Sequence, residues 1–159
     1  MKTPNSRQRG VAIIEFALIL PLLLILTFIT TEFGRALYQY NTIAKSVRDA
    51  VRYLSTQDPS IKTSDAPKIE IARSLVVYGI PDGRATDLPL APGLSLSQVP
   101  SSNISWKITG IDPAINTVTI TVSGYKFRPL ITKAFDLSFA DSNGEIAFGP
   151  ISATMRSQL

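Results

Sequence analysis

The sequence contains neither cysteine nor histidine among its 159 residues. Without cysteine, the chain can form neither a disulfide framework nor a thiolate metal site. Without histidine, it lacks the commonest general base and the commonest protein metal ligand. Glycine-rich phosphate loops and nucleophile-elbow motifs are also missing from the sequence. The composition therefore predicts a protein that is not an enzyme and that holds no cofactor and no metal.

Basic residues exceed acidic ones by four, but the excess is concentrated at the N-terminus. Lys2, Arg7 and Arg9 precede the first acidic residue, Glu15, and the remaining 13 basic residues are nearly balanced by 12 acidic ones. No cluster of basic residues interleaved with aromatic ones follows. The sequence therefore predicts no nucleic-acid partner.

A long apolar run from Val11 to Ile29 carries Glu15 as its single charge. As a helix, its 19 residues would reach about 28 Å, close to the thickness of a bilayer's hydrocarbon core. A buried core helix and a cleaved signal peptide are alternatives. The run is longer than a typical signal-peptide core, however, and no small-x-small cleavage site follows it. We expect a retained membrane span with the basic N-terminus in the cytoplasm.

Two residues inside this run suggest contact with another helix. Pro21 removes a backbone donor and frees the carbonyl of Ala17, which predicts a helix kink that a neighbouring group must satisfy. Glu15 would cost a few kcal/mol inside a bilayer, so it either pairs with a cation or reaches water at the near interface, about 6 Å from Val11. The chain's physics leaves both explanations for Glu15 open.

The residues around Gly10 resemble the processing site of type IV pilin-like precursors. An apolar stretch follows Gly10, with Glu15 five positions after the glycine and Phe16 next. More narrowly, the first third of the chain resembles TadE-like minor pilins or pseudopilins of the tight-adherence (Flp) pilus system. The matching blocks are EFA…LPL, EFGRALY and AVRY, and the closing ISATMR is similar to that family's ending.

This resemblance implies that a prepilin peptidase cuts between Gly10 and Val11. It also implies that Glu15, with Phe16 beside it, pairs with the new N-terminal amine of a neighbouring subunit during assembly. The implied partners are the peptidase, other pilin or pseudopilin subunits, the inner-membrane assembly platform and the lipid bilayer. The implied location is the bacterial inner membrane, with the C-terminal domain in the periplasm or outside the cell.

Helical signals continue beyond the run to about Ser55. Apolar residues recur at alternating spacings of three and four, which indicates a helix with one face packed on a domain; they are Phe33, Leu37, Tyr40, Ala44, Val47, Val51 and Leu54. Arg35 should lie near the lipid headgroups and anchor the depth of the helix. Lys45, Arg48 and Arg52 are interpreted as a solvated flank.

The remaining sequence predicts a small α+β domain. A loop over residues 58–66 precedes a helix from Pro67 to Tyr78, whose apolar residues Ile69, Ala72 and Val76 face the core. Residues 80–103 read as a long irregular surface segment whose role the sequence leaves open.

Alternating residues in the last third predict antiparallel strands near 104–108, 118–122 and 151–155. A hairpin is predicted to join residues 137–140 to 145–148 through Ser142-Asn143-Gly144. Asp141, Asn143 and Glu145 are interpreted as the tip of this hairpin, because they lack a full calcium ligand set. The sheet is expected to lie on the long helix and on the second helix, in a pilin-like arrangement.

The predicted organisation is thus a leader over 1–10, a transmembrane helix over 11–31, its extracytoplasmic extension over 32–57 and an α+β domain over 58–159. The favoured function is a minor pilin or pseudopilin in assembly of a pilus related to type IV secretion and cell adhesion. An uncleaved, single-pass anchored extracytoplasmic binding module is the alternative. An anchored hydrolase would lack a visible base or nucleophile. Whether the subunit initiates, caps or regulates a filament is not encoded in any motif.

Overall fold

The structure is a computed structural model that describes residues 6–57, 66–134 and 137–157. The beginning of the predicted leader and residues 58–65 of the loop predicted over 58–66 lie outside the described residues. The helices are α1 (Ser6–Ser55) and α2 (Ala66–Tyr78), and short 3-10 turns cover Leu96–Gln98 and Ser101–Asn103. The strands are β1 (Ile104–Thr109), β2 (Ile115–Val122), β3 (Lys126–Phe127), β4 (Lys133–Ala134), β5 (Leu137–Ser138), β6 (Ile146–Ala147) and β7 (Ile151–Arg156).

Helix α1 is continuous over 50 residues and passes through Pro21 without ending. At 1.5 Å per residue it is about 75 Å long, far longer than the small domain needs. Its C-terminus tightens, because the amides of Thr56 and Gln57 donate to the carbonyls of Tyr53 and Leu54. The predicted single helix to Ser55 is confirmed.

Helix α2 packs against α1 and ends where the sequence predicts. Gly79, the next residue, has φ +76°, which is the left-handed conformation that ends many helices. Its amide donates to the carbonyl of Leu75 at 3.1 Å. A side chain at this position would be strained by the positive φ and would press on Leu90.

The main sheet has three antiparallel strands in the order β1-β2-β7. Strand β2 is central and pairs Ile104 with Ile120 on one side and Ile120 with Ala153 on the other. Val118, Ile120 and Val122 alternate along β2 and are buried. The opposite face is polar, and the hydroxyls of Thr119 and Thr154 lie 2.8 Å apart across the strands. One sheet face therefore packs on the helices, and the α+β prediction is confirmed.

The core lies between the sheet, α2 and the C-terminal half of α1. The predicted core residues of α2, which are Ile69, Ala72 and Val76, are all buried. The other core residues include Ile43, Val47, Ala50, Val51, Leu54, Val77, Ala91, Leu94, Val99, Tyr125 and Ile151.

The predicted buried face of α1 is correct only at its C-terminal end. Val47, Val51 and Leu54 are fully buried, whereas Phe33 is 66% exposed and Leu37 is 49% exposed. Tyr40 is also exposed. The domain covers this helix face only from about Gln39 onward. The spacing predicts which residues share a face, but the size of the domain decides how much of that face is covered.

Strand β1 corrects a second expectation. Ile104 is buried and Trp106 is half-buried, but Ile108 is 70% exposed. The reason is topological: β1 is an edge strand, and α1 packs on β2 and β7. Alternation along β1 is therefore real, but its far end has nothing to pack against.

The predicted pairing of 137–140 with 145–148 is wrong. Strand β5 pairs instead with β4, through Ala134 and Leu137, while β6 pairs with β3, through Phe127 and Ile146. The turn itself is present, because the amide of Gly144 donates to the carbonyl of Asp141. Each flanking strand has another partner, since β5 pairs with β4, which directly precedes it along the chain, and β6 pairs with the more distant β3.

Residues 80–103 pack onto the domain. Ala91, Leu94 and Val99 are buried in the core. Arg73 of α2 donates from Nε to the carbonyl of Val99 at 2.7 Å and from Nη2 to that of Leu96 at 3.0 Å. The proline-rich composition predicted an irregular path, and the structure shows that this path is anchored by an arginine.

Candidate functional site

The N-terminal half of α1 exposes an apolar surface along its whole length. Leu18 is 75% exposed, Leu22 is 68% exposed, and none of the side chains from Val11 to Ile29 is buried. An 18-residue window of this helix reaches a mean hydropathy of 2.7 with none of it buried inside the protein. An apolar surface of this kind marks a membrane or interaction surface. By length and composition, this helix can cross a membrane.

The predicted cleavage and pairing residues lie together at the start of this surface. Gly10 and Val11 are exposed and helical, and Glu15 and Phe16 lie one turn further along. Within the described residues, Glu15 has no ion pair. Its carboxylate is therefore available to a partner outside the chain.

Three hydroxyl groups at the end of the apolar run are satisfied inside the helix. The hydroxyls of Thr27, Thr30 and Thr31 donate to the carbonyls four residues earlier, at 2.8, 2.8 and 2.9 Å. A hydroxyl that bonds to its own helix needs no water. The segment compatible with a bilayer therefore extends through the predicted limit at Thr31.

Arg35 follows one turn later and contacts the domain. Its Nη1 lies 2.7 Å from Oε2 of Glu32, and its guanidinium carbon lies 5.5 Å from the centroid of the Phe127 ring. An arginine over an aromatic face gains a cation–π attraction of about 0.5–1 kcal/mol when partly exposed. Arg35 is thus placed where the helix first meets the domain. Its predicted role at the lipid headgroups remains a prediction.

An aromatic cluster, which sequence reasoning missed, holds the domain to this part of α1. Phe148 contacts Tyr40, Tyr125 and Phe127, with ring centroids 6.0, 5.3 and 6.1 Å away. The alternation of Tyr125 and Phe127 was a sequence signal, because it places both rings on one side of a short strand. Nothing local could show that Tyr40, from the helix, would meet them.

Tyr125 also carries a buried polar contact. Its hydroxyl lies 2.7 Å from Oε1 of Gln39 and 2.9 Å from the carbonyl oxygen of Pro92. Since a phenol has one hydrogen to donate, it is shared between these two acceptors. Burial raises the pKa of the Tyr125 hydroxyl, so the group stays neutral. The contact links α1, the 80–103 segment and the start of β3.

A charged cluster fastens β3 to the segment that leads into β6. The two carboxylate oxygens of Glu145 bind Nζ of Lys126 and Nη2 of Arg128, each at 2.8 Å. The hydrogen bonds from Lys126 and then from Arg128 lower the pKa of Glu145. The hydrogen bond to Glu145 raises the pKa of Lys126. Both groups are therefore charged at neutral pH.

The hydrogen bonds of Asp141 agree with the prediction that it lies in a turn. Asp141 Oδ1 accepts from the amides of Asn143 and Glu145, at 2.9 and 2.8 Å. Both oxygens of Glu145 are already bound to cations. Asp141 Oδ1 is therefore engaged in the turn, and both oxygens of Glu145 are engaged in the charged cluster.

Comparison with known proteins found a similarity, which lies in the N-terminal region. Residues 10–52 match the family model described as TadE-like protein. Neither the curated proteins nor the solved structures gave a match. The match starts at Gly10 and runs through the exposed apolar surface into the buried part of α1. Over this region, roughly a quarter of the chain, the resemblance to TadE-like proteins of the Tad pilus is confirmed.

Proposed function

We propose that this protein is a membrane-anchored, peptidase-processed minor pilin or pseudopilin that acts in assembly of a tight-adherence (Flp) pilus. The observation that carries the proposal is the exposed apolar half of α1, which begins at the matched Gly10 and carries Glu15 without a partner in the described residues. A helix that is apolar all round needs lipid or other helices to cover it. Inner-membrane anchoring and later packing against other subunits supply these two environments in turn.

Orientation follows from the charges that flank the run. Lys2, Arg7 and Arg9 precede it, and the positive-inside rule keeps such residues in the cytoplasm. The folded domain would then lie on the periplasmic side. Prepilin peptidase, the other pilus subunits and the inner-membrane platform are the proposed partners.

Processing would separate Gly10 from Val11. In this structure both residues are helical, so a peptidase must first open the helix locally. Glycine is about 1 kcal/mol less favourable than alanine in a helix interior, which lowers the cost of that opening. Cleavage removes the three basic residues and leaves an α-amino group on Val11.

This new amine gives Glu15 a partner. Inside an assembled filament, where helices replace water, we expect Glu15 of one subunit to pair with the Val11 amine of its neighbour. Phe16 would pack beside this pair, and a neighbouring helix at Pro21 would satisfy the carbonyl that the proline frees.

Mass spectrometry of the protein extracted from native membranes tests the processing step. The expected first residue is Val11. A retained Met1 would contradict the proposal and would favour an uncleaved anchor, while a start beyond residue 29 would favour a signal peptide.

Two glycine variants sharpen this test. Gly10→Val should block processing, because the residue at the scissile bond is changed. Gly34→Val is the matched control, since a Cβ atom at either helical glycine would meet no atom within 4 Å. Equal processing of both variants would show that Gly10 is not recognised.

A cleft lined by both polar and apolar residues supports the alternative of an anchored binding module. It lies between α1 and the end of α2, has a volume of about 540 Å³ and is lined in part by Tyr38, Lys45, Asp49 and Leu90. Such a cleft can accept a polar ligand. The alternative requires that Met1 be retained, so the same mass measurement decides between the two functions.

A further inference from the structure

An apolar groove lies where the exposed half of α1 meets the domain. Its volume is about 320 Å³. Phe28, Ile29 and Phe33 form its helix wall, and Phe127 and Phe148 belong to the wall on the domain side. From Phe28 to Ala36, the last helix residue in the wall, the groove follows about 12 Å of the helix.

The groove surface is almost entirely hydrocarbon. Glu32 is the ionisable residue in its lining, and the Glu32 carboxylate is bound to Arg35 at 2.7 Å. Water inside the groove would find few hydrogen-bond partners, and a buried water normally makes about three. An occupant that fits this surface is therefore a flexible hydrocarbon.

Position identifies the source of that hydrocarbon. Phe28 and Ile29 belong both to the groove and to the last turn of the run that is proposed to cross the bilayer. The hydroxyls of Thr27, Thr30 and Thr31 are bonded within the helix, so they place no free polar group between the bilayer and the groove. The groove is thus continuous with the lipid-facing surface of the helix.

Charge near the groove favours an anionic headgroup. Phe127 is buried between the exposed residues Lys126 and Arg128, and Glu145 is the one carboxylate that binds both. The side chain of Arg128 remains 81% exposed. Asp141 also acts on the charge of Lys126, so Arg128 is the cation of this trio that is most exposed to an anionic headgroup, and a basic residue near a membrane attracts anionic lipid.

We propose that the groove binds one acyl chain of an anionic phospholipid from the leaflet on the domain side. This inference rests on the proposed membrane anchoring. The bound chain covers the apolar surface between Phe33 and Phe127. The CH₂ groups of the chain are already out of water in the bilayer, so binding is favoured by removal of the apolar groove surface from water, and the lipid contributes to how the domain sits on the membrane.

Photo-crosslinking of the full-length protein in bilayer nanodiscs tests the proposal. The probe is phosphatidylglycerol with a diazirine on one acyl chain, and mass spectrometry locates the adducts. Adducts are expected on Phe127, Pro129 or Phe148, as well as on the span at residues such as Leu18. Adducts on the span alone would overturn the groove proposal and leave membrane anchoring intact. A lack of adducts at both places would overturn the anchoring on which it rests.

A filled groove provides the matched variant. Ala36→Phe adds a ring to the groove wall, whereas Ala17→Phe adds the same ring to the exposed span. The first change should lower domain labelling at least tenfold while span labelling stays constant, and the second should change neither. Unchanged domain labelling in Ala36→Phe would overturn the proposal.

A second variant keeps the proposal testable if Ala36→Phe does not fold. Phe33 is 66% exposed, so Phe33→Ser should fold, which the far-ultraviolet circular dichroism spectrum checks. It should lower domain labelling severalfold through loss of the apolar wall. Wild-type labelling in this folded variant would contradict the proposal.

The headgroup preference has its own test. Arg128→Gln should reduce the preference for the phosphatidylglycerol probe over the phosphatidylcholine probe about fivefold, which corresponds to about 1 kcal/mol for a basic residue at a membrane surface. Arg48→Gln, on the exposed flank of α1, should leave the preference unchanged. Equal labelling of the wild type by both lipids would contradict the proposed preference for an anionic headgroup.

Discussion

The two halves of α1 share one helix but meet different surroundings. From Val11 to Ile29 the helix is apolar on all sides and no side chain is buried. From Ile43 to Leu54, one apolar face is fully buried against the sheet and α2; its residues are Ile43, Val47, Ala50, Val51 and Leu54. The first pattern suits lipid or a bundle of other helices, and the second suits a globular domain on one side. The comparison shows that one helix can present two interaction surfaces when its hydrophobic pattern changes along its length.

The largest expected effect concerns Glu15 in the exposed half. Glu15→Ala should preserve or improve membrane insertion, because it removes a carboxylate from the apolar run. It should weaken incorporation into the filament by about 3–5 kcal/mol, the typical cost of removing one partner of a buried ion pair. A pilus pull-down with quantitative mass spectrometry measures incorporation.

The control for this prediction is Asp49→Ala, which removes an exposed carboxylate from the other half of α1. It should leave incorporation unchanged. If Glu15→Ala entered pili as well as the control, Glu15 would have no part in assembly.

Truncation of leucines contrasts the two halves directly. Leu54→Ala should lower the free energy of unfolding of the domain by about 2–5 kcal/mol, because Leu54 is fully buried and a cavity remains. Leu22→Ala, in the exposed half, should leave this free energy unchanged. The fluorescence of Trp106, the single tryptophan, reports urea unfolding in detergent. Similar losses in both variants would contradict the division of α1 into two environments.

A substitution of Tyr125 tests whether its contact with Gln39, where the domain begins to cover α1, stabilises the fold. Tyr125→Phe should lower the free energy of unfolding by about 1–2 kcal/mol, since it removes the donor to two acceptors, Gln39 and Pro92. Tyr38→Phe is the control, because Tyr38 is 72% exposed. Equal midpoints for the wild type and Tyr125→Phe in urea would show that the contact contributes no stability.

The smallest expected effect is a pH dependence of the charged cluster. The pKa of Glu145 is lowered from its ordinary value of 4.5, so its contribution to stability is present above that value and is lost as pH falls through the lowered pKa. The pKa of Lys126 is raised from 10.5, so its contribution is present below that value and is lost as pH rises through the raised pKa. The contribution is therefore full between these two ordinary values.

Urea unfolding at pH 7 and pH 3 measures this dependence. The difference in unfolding free energy between the wild type and Glu145→Gln should be larger at pH 7, because acid protonates the carboxylate that the variant lacks. Leu22→Ala, which removes no ionisable group, should show the same difference from the wild type at both pH values. A pH-independent difference for Glu145→Gln would contradict a stabilising role of the ion pairs.

Local patterns predicted much of this molecule. The apolar run, its continuation to Ser55, the helix that ends before Gly79 and the alternating strand β2 all follow from signals within a few residues. Such signals report local backbone preference and the side of an element that is apolar. The resemblance around Gly10 to Phe16 was also recognised locally, and the match over residues 10–52 confirms the resemblance to TadE-like proteins, while the cleavage and pairing roles of these residues stay predictions.

Contacts between distant segments could not be predicted from such local patterns. The pairing of β3 with β6, the hydrogen bonds of Arg73 to the 80–103 segment and the contact of Tyr40 with Phe148 join residues remote in sequence. Many pairings satisfy the same local pattern, and only simultaneous packing of the core selects among them.

The sequence by itself determined that α1 is a long helix with an apolar half and an amphipathic half, because hydrophobic periodicity is a local property of the chain. Only the tertiary structure decided that the domain covers this helix from about Gln39 onward and leaves Phe33 exposed. It also brought Phe28 and Phe127 into one apolar groove at the end of the apolar run. The physical reason is that burial depends on which distant elements fill the same space, whereas helix formation and hydrophobic patterning do not.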